Sequence, residues 1–163
     1  MRHQVTLAQF PALIMKMEPE VTAAVVRGLR SAALRAKGEV VLEIGRSQPY
    51  PAVDTGGLRE SVNVGLLPDG GIVTVDAPHA AHIEHGTRPF WPPMGPLLTW
   101  AIRKGLADDE DEAEDVVRRI QAKIAREGIE PRHFFAKAMA TVGRRYVPQE
   151  INAELKVLED VGF

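Results

Sequence analysis

The chain has 163 residues, no cysteine and a formal net charge of −2 with histidines neutral. That length suits one domain able to bury about two-thirds of its unfolded surface without a metal or disulfide staple. The lack of thiols excludes thiol catalysis and thiolate zinc sites, and the charge balance argues against a strongly basic nucleic-acid binder.

The N-terminal stretch MRHQVTLAQFPALIMKM carries a short apolar run interrupted by Gln9 and Pro11, with no small-residue cleavage site. It reads as an arm, residues 1–17, and not as a signal peptide. No stretch approaches the roughly 18 apolar residues of a membrane span, so a soluble chain without membrane contact, cytoplasmic when made, is expected.

From Glu18 to Gly45 one long helix of roughly 40 Å is predicted. Pro19 suits its first turn, and Val21, Val25, Leu29, Ala32, Ala36, Val40 and Ile44 recur at three- to four-residue steps. Gly45 is the expected C-cap. Gly28, Ala32 and Ala36 leave a narrow stripe against which another element can pack closely.

Residues 46–57 read as a loop ending in an Asp-Thr-Gly-Gly turn, where Asp54 or Thr55 is expected to cap a short LRES helix. Val62, Val64 and Leu66 alternate before PDGG, and IVTVD follows, which makes a β-hairpin. The stretch HAAHIEHGTRPFWPP, residues 79–93, then gives a helical turn ended by Gly86 and a proline-stiffened extended loop. Amphipathic helices are predicted in PLLTWAIRKGL, in ADDEDEAEDVVRRIQAKIAREG and in RHFFAKAMATVGRRY, the last broken or kinked by Pro148. The expected architecture is a single α+β domain over residues 1–163: an antiparallel sheet, the long N-terminal helix and C-terminal helices packed on it. Residues 18–147 are its core and 148–163 its helical tail.

Each chemical motif meets a counter-argument. His79, His82 and His85 stand three apart, whereas the helical zinc motif spaces histidines by four with a glutamate beside the first. Asp-Thr-Gly is the tripeptide of aspartic proteases, which need two such aspartates sharing a proton. The run from Asp108 to Asp115 lacks the glycine of a calcium loop and suits a solvated helix N-terminus. Ser31, Ser47 and Ser61 lack a nucleophile elbow. No catalytic residue, cofactor or metal is therefore assigned, and the chain is expected not to be an enzyme. Phe90 and Trp91 remain, either displayed as binding anchors by a stiff loop or folded back as core.

Three segments, in order, carry a resemblance: PAVDTGGLRESVNV, APHAAHIEHGTRPFWPP and GIEPRHFFAKAM. Together with the long helix they resemble the tail-completion, or head-to-tail joining, proteins of long-tailed bacteriophages, often labelled minor tail or neck proteins. The similarity covers about 18 to 145. It departs from the family at His85, where an aromatic is usual, at His79, where tyrosine is common, and in a longer acidic helix. The resemblance implies a virion protein at the head–tail junction: a monomer in solution that forms a ring, typically a hexamer, on the tail or connector. Its neighbours would be a head connector or adaptor and tail tube or terminator proteins. Genomic DNA would pass through without specific binding, past a lumen of acidic or neutral side chains that includes the 108–115 run.

On the same resemblance Asp54, Arg59, Glu84, Gly86, Thr87, Arg88, Phe90 and Trp91 form the partner-binding set. Glu84 is expected to cap the Gly-Thr turn or to pair with an arginine, Arg59 being the candidate, and Glu84→Ala to abolish assembly while sparing the fold. The rival readings are another oligomeric interaction module, a metal-dependent hydrolase using His79, His82 and Glu84, and a DNA-binding helix using Arg27, Arg30, Arg35 and Lys37.

Overall fold

The computed structural model describes residues 1–6, 18–47 and 54–160. Residues 7–17 of the expected arm, residues 48–53 of the expected loop and residues 161–163 lie outside them. The fold is α+β, as the alternation of periods implies, and the chain divides into two compact units. One joins Met1–Glu84 to Arg132–Phe163; the other is the continuous stretch His85–Pro131.

The first unit is built on helix α1 (Pro19–Arg46), 28 residues long with proline in its first turn. Its buried face is Ala24, Gly28, Leu29, Ala32, Ala33, Ala36, Glu39, Val40 and Ile44. Val21 and Val25 of the predicted stripe are only half-buried. The helix does not stop at Gly45 as expected: it runs on to Arg46 and ends at Ser47, whose hydroxyl donates to the Ile44 carbonyl at 2.9 Å. Gly45 instead leaves room for the Arg59 guanidinium, which occupies the space a Cβ would take.

Strands β1 (Arg2–Thr6), β2 (Val62–Leu67) and β3 (Gly70–Val75) form an antiparallel sheet in the order β1-β3-β2. The first residues of the expected arm are thus sheet, with Arg2 opposite Thr74. The hairpin pairs Val62 with Val75 and Leu67 with Gly70 around Pro68 and Asp69. The Arg30 guanidinium donates to the carbonyls of Leu67 (2.8 Å) and Pro68 (3.0 Å), which fastens α1 to the hairpin tip. A Cβ on Gly71 would collide with that of Ala33, so the helix lies on the sheet at the distance its small residues permit.

Helix α2 (Gly57–Glu60) takes Gly56, at φ 95, as its N-cap residue, directly after the Asp54 and Thr55 from which a cap was expected. Helix α3 (Ala80–His85) precedes the second unit. After that unit come helix α6 (Phe134–Thr141), a π-helical turn (Val142–Tyr146) and helix α7 (Val147–Asp160). Pro148 does not break this run. The wide turn, in which Val147 N–H bonds to the Val142 carbonyl, absorbs the missing donor and ring just ahead of it. The expected C-terminal tail is therefore a helix packed along α1. Arg27–Glu154 (2.6 Å) and Arg35–Glu150 (2.8 Å) tie the two together. Tyr146 donates to buried Glu39 at 2.9 Å, with the Arg35 and Arg145 guanidiniums 5.7 and 5.6 Å from its ring centre. The Glu39 hydrogen bond, aided by desolvation, raises the Tyr146 phenol above its ordinary value of 10.0.

In the second unit helix α4 (Met94–Arg103) packs on helix α5 (Glu110–Glu127), burying Ala101, Ala113 and Val117. The acidic run is a helix start: Asp109 accepts from Glu112 N–H at 2.8 Å and Glu112 from Asp108 N–H at 2.9 Å. Among the described residues no helix is long and apolar enough to cross a membrane.

Two substitutions on one helix should have opposite signs. A Cβ on Gly28 would stand 2.7 Å from the Ile151 Cα, whereas one on Gly38 meets nothing within 4 Å. Gly38→Ala should stabilise by about 0.5–1 kcal/mol through helix propensity, and Gly28→Ala should destabilise despite the same propensity gain; denaturant titration of both variants checks the pair. The Tyr146 bond should show in alkali. A raised folded value means that its stabilisation is complete below about pH 10 and fades as pH rises through that value. The melting-temperature gap between the parent and Tyr146→Phe should therefore close at high pH.

Candidate functional site

Helix α6 begins Arg132-His133-Phe134-Phe135, a sequence with no Ser, Thr, Asp or Asn to cap it and no acid in its first turn. Its N-cap, His133, has φ 54 and ψ 33 and makes no side-chain cap bond. The first N–H groups of a helix need acceptors wherever they are buried, and here they come from fifty residues away. Glu84, at 2 % exposure, accepts from Phe135 N–H through Oε2 (2.8 Å) and from Ala136 N–H through Oε1 (2.9 Å). Its backbone carbonyl accepts from His133 N–H (3.1 Å), and that of Ile83 from Arg132 N–H (2.9 Å). A carboxylate at a helix N-terminus also meets the positive end of the helix dipole. These bonds hold His133 in its left-handed conformation, which costs a non-glycine residue about 1–3 kcal/mol.

Glu84 therefore neither caps the Gly-Thr turn nor pairs with Arg59. Both carboxylate oxygens serve helix α6, and the exposed Arg59 lies over Gly45. The expectation that Glu84→Ala spares the fold falls with that pairing, because the side chain is a buried cap. The proposed hydrolase set falls apart for the same reason: Glu84 is buried and engaged, while His79, His82 and His85 are exposed. Among the described residues no group of three or more His, Asp or Glu side chains could hold a metal ion. The basic residues of α1 are also committed, Arg27 and Arg35 to glutamates and Arg30 to the hairpin tip, which leaves exposed Lys37 of the four.

In the second unit, Thr87 pairs with Ile129 in an isolated antiparallel bridge: Thr87 N–H donates to the Ile129 carbonyl (2.9 Å), and Ile129 N–H to Thr87 Oγ1 (3.1 Å). Two glycines make the approach possible. Gly86 (φ 71) has no room for a Cβ against the Ile129 carbonyl, nor has Gly128 (φ 76) against that of Thr87. Five residues after Thr87, Pro92 is buried and its carbonyl accepts from the buried Gln121 Nε2 at 2.8 Å. The chain between is thus pinned at both ends. Arg88 is exposed, Phe90 is 41 % exposed and Trp91 65 %. Of the two outcomes left open, display and not core burial is the one adopted. The remaining expected site residue, Asp54, lies on the exposed surface of the first unit.

Ile129, Gln121 and the Phe135 and Ala136 amides escaped the reading of the sequence. The uncapped start of α6 was a usable signal that an acid from elsewhere must serve it. No local pattern marks Gln121. Compared with protein-family models, with curated proteins and with solved structures, the chain finds no match.

Glu84→Ala should lower stability by about 3–5 kcal/mol, since it strands two donors at about 1–3 kcal/mol each and opens a cavity. Glu84→Gln, which keeps one acceptor and the shape, should fall between. Urea unfolding measures both, and an unchanged midpoint for the alanine variant would show the cap to be energetically idle.

Proposed function

We propose that this chain is a structural virion protein of a long-tailed bacteriophage, completing the tail or joining it to the head. It acts as a ring, a hexamer on the family pattern, through which genomic DNA passes. Before assembly it resides in the host cytoplasm, and its partners are further copies, a head connector or adaptor, and tail tube or terminator proteins. The reading assigns it no catalysis, no cofactor and no membrane contact. A net charge of −2 suits a channel protein that must not hold DNA by its phosphates.

One observation carries the reading. The three segments behind the resemblance are far apart in sequence, yet they supply one buried cluster: Leu58 and Val62 from the first, Ala80 from the second, and Phe134, Phe135 and Ala138 from the third. Glu84 adds the hydrogen bonds that join the second segment to the third. The shared residue types are those that this joint core and cap require, which supports the resemblance as one of fold. The aromatic pair on its pinned loop supplies the contact: rigid aromatic anchors bind with little loss of side-chain entropy.

Electron microscopy of particles made without the gene tests the role. Separate filled heads and tails are expected, rejoined when the protein is supplied, whereas complete particles would falsify the reading. Supplying Trp91→Ala should fail to rejoin them, although its unfolding free energy stays within about 0.5 kcal/mol of the parent's, as for exposed sites generally.

A further inference from the structure

The three-stranded sheet is open at both edges among the described residues. Register fixes which groups are free. Asp76 N–H bonds to the Ser61 carbonyl, so Asn63, Gly65 and Leu67 turn their backbone groups toward β3, and Val62, Val64 and Leu66 turn theirs outward. On the far side Val75 N–H bonds to the Met1 carbonyl, which leaves the backbone groups of Arg2, Gln4 and Thr6 facing outward. Sheet edges are ordinarily blunted by charge, proline or a bulge. Strand β2, VNVGLL, has none of these: its register is unbroken and Leu66 is 58 % exposed.

We propose that β1 of one copy adds to the β2 edge of the next, in parallel, so that the sheet continues from subunit to subunit. This deepens the ring reading and rests on it for its biological setting. Two features select a second copy. First, β1 and β2 each run antiparallel to β3 and so point the same way. A rotation that repeats the subunit then brings β1 beside β2 head-to-tail, which generates rings, whereas β2 against β2 would be a two-fold contact that stops at a dimer. The outward groups mesh: Val64 N–H meets the Arg2 carbonyl of the next copy, and the Val64 carbonyl meets its Gln4 N–H. Second, the charges at the joint are compatible. Arg2, Thr74 and Asn63 form one row across one face, and Asp76 Oδ2 accepts from Asn63 Nδ2 (2.9 Å) and Thr74 Oγ1 (3.3 Å). Asp76 stands one strand from its own Arg2; with the strands level, the exposed Arg2 of the next copy comes beside Asn63, two strands from that carboxylate, and so adds a cation to a face that already carries an acid.

The absence of native cysteine gives a direct test on the purified full-length chain. Within one copy Arg2 and Asn63 are separated by β3, about 9.6 Å at two strand spacings, beyond the roughly 7 Å a disulfide can bridge. In the double variant Arg2→Cys, Asn63→Cys every disulfide must therefore join two copies. Mild oxidation at high protein concentration should give a ladder of covalent multimers. A mixture of the two single variants should give dimers and nothing larger. Adding Leu66→Lys to the double variant should remove the ladder while leaving circular dichroism unchanged. A double variant that stays monomeric overturns the proposal, and so does Asn63→Cys alone dimerising as readily as the mixture. The assay needs no phage. A ladder alongside normal particles from the gene-deleted strain would keep the strand pairing and remove the junction role; no ladder alongside separated heads and tails would do the reverse.

Discussion

A helix whose own sequence cannot satisfy its first amides needs an outside acceptor, and much of the larger unit follows from how Glu84 meets that need. The buried carboxylate gives one oxygen to Phe135 and the other to Ala136, while the neighbouring carbonyls take the amides of Arg132 and His133. Phe134 is thereby set into the cluster of Val40, Ile44, Val62 and Val75. The buried carboxyl group is tolerable in that setting because both of its oxygens accept hydrogen bonds from helix N–H groups. An alanine or valine at 84 would suit the apolar surroundings and leave the Phe135 and Ala136 amides without acceptors.

The smaller unit solves a different problem, that of holding a loop still without regular structure. Proline fixes the loop's internal torsions, the Thr87–Ile129 bridge fixes one end and Gln121 the other. The bridge requires two chains to approach closer than any side chain permits, hence glycine at 86 and at 128. Burial of Pro92 beside exposed Trp91 shows how the loop divides its apolar residues between anchoring and display. Two such devices, one buried and one exposed, give the segment from Glu84 to Trp91 distinct tasks within eight residues.

The regular elements were legible because their determinants are local. The three- to four-residue recurrence in α1, the alternation of Val62 and Val64 with Asn63 and Gly65, and the prolines after Thr87 each act within a few residues. What escaped is non-local. Arg2–Thr6 carries no apolar alternation strong enough to announce a strand and becomes one by pairing with β3. Glu84 looks like a surface acid until α6 arrives beside it. Gly45 resembles a helix stop, but its small size serves Arg59. Pro148 resembles a breaker, yet a wide turn set ahead of it lets the helix continue, a choice made by packing of α7 on α1 and not by the proline.

The backbone bonds from Arg132 to Ile83 and from His133 to Glu84 also join the two chain stretches of the larger unit, which residues 85–131 separate in sequence. The clamp holds the ends of that segment together whatever its length. Closing a longer loop adds only about 0.6 kcal/mol per doubling, so the larger unit constrains the length between the clamped ends only weakly. Biosynthesis carries the corresponding burden. At about 5–20 residues per second, the sheet and long helix leave the ribosome several seconds before Phe134 and the final helix, and until then Val40, Ile44 and Val73 lack the surface that covers them. Until Phe134 emerges, that apolar face stays open to water.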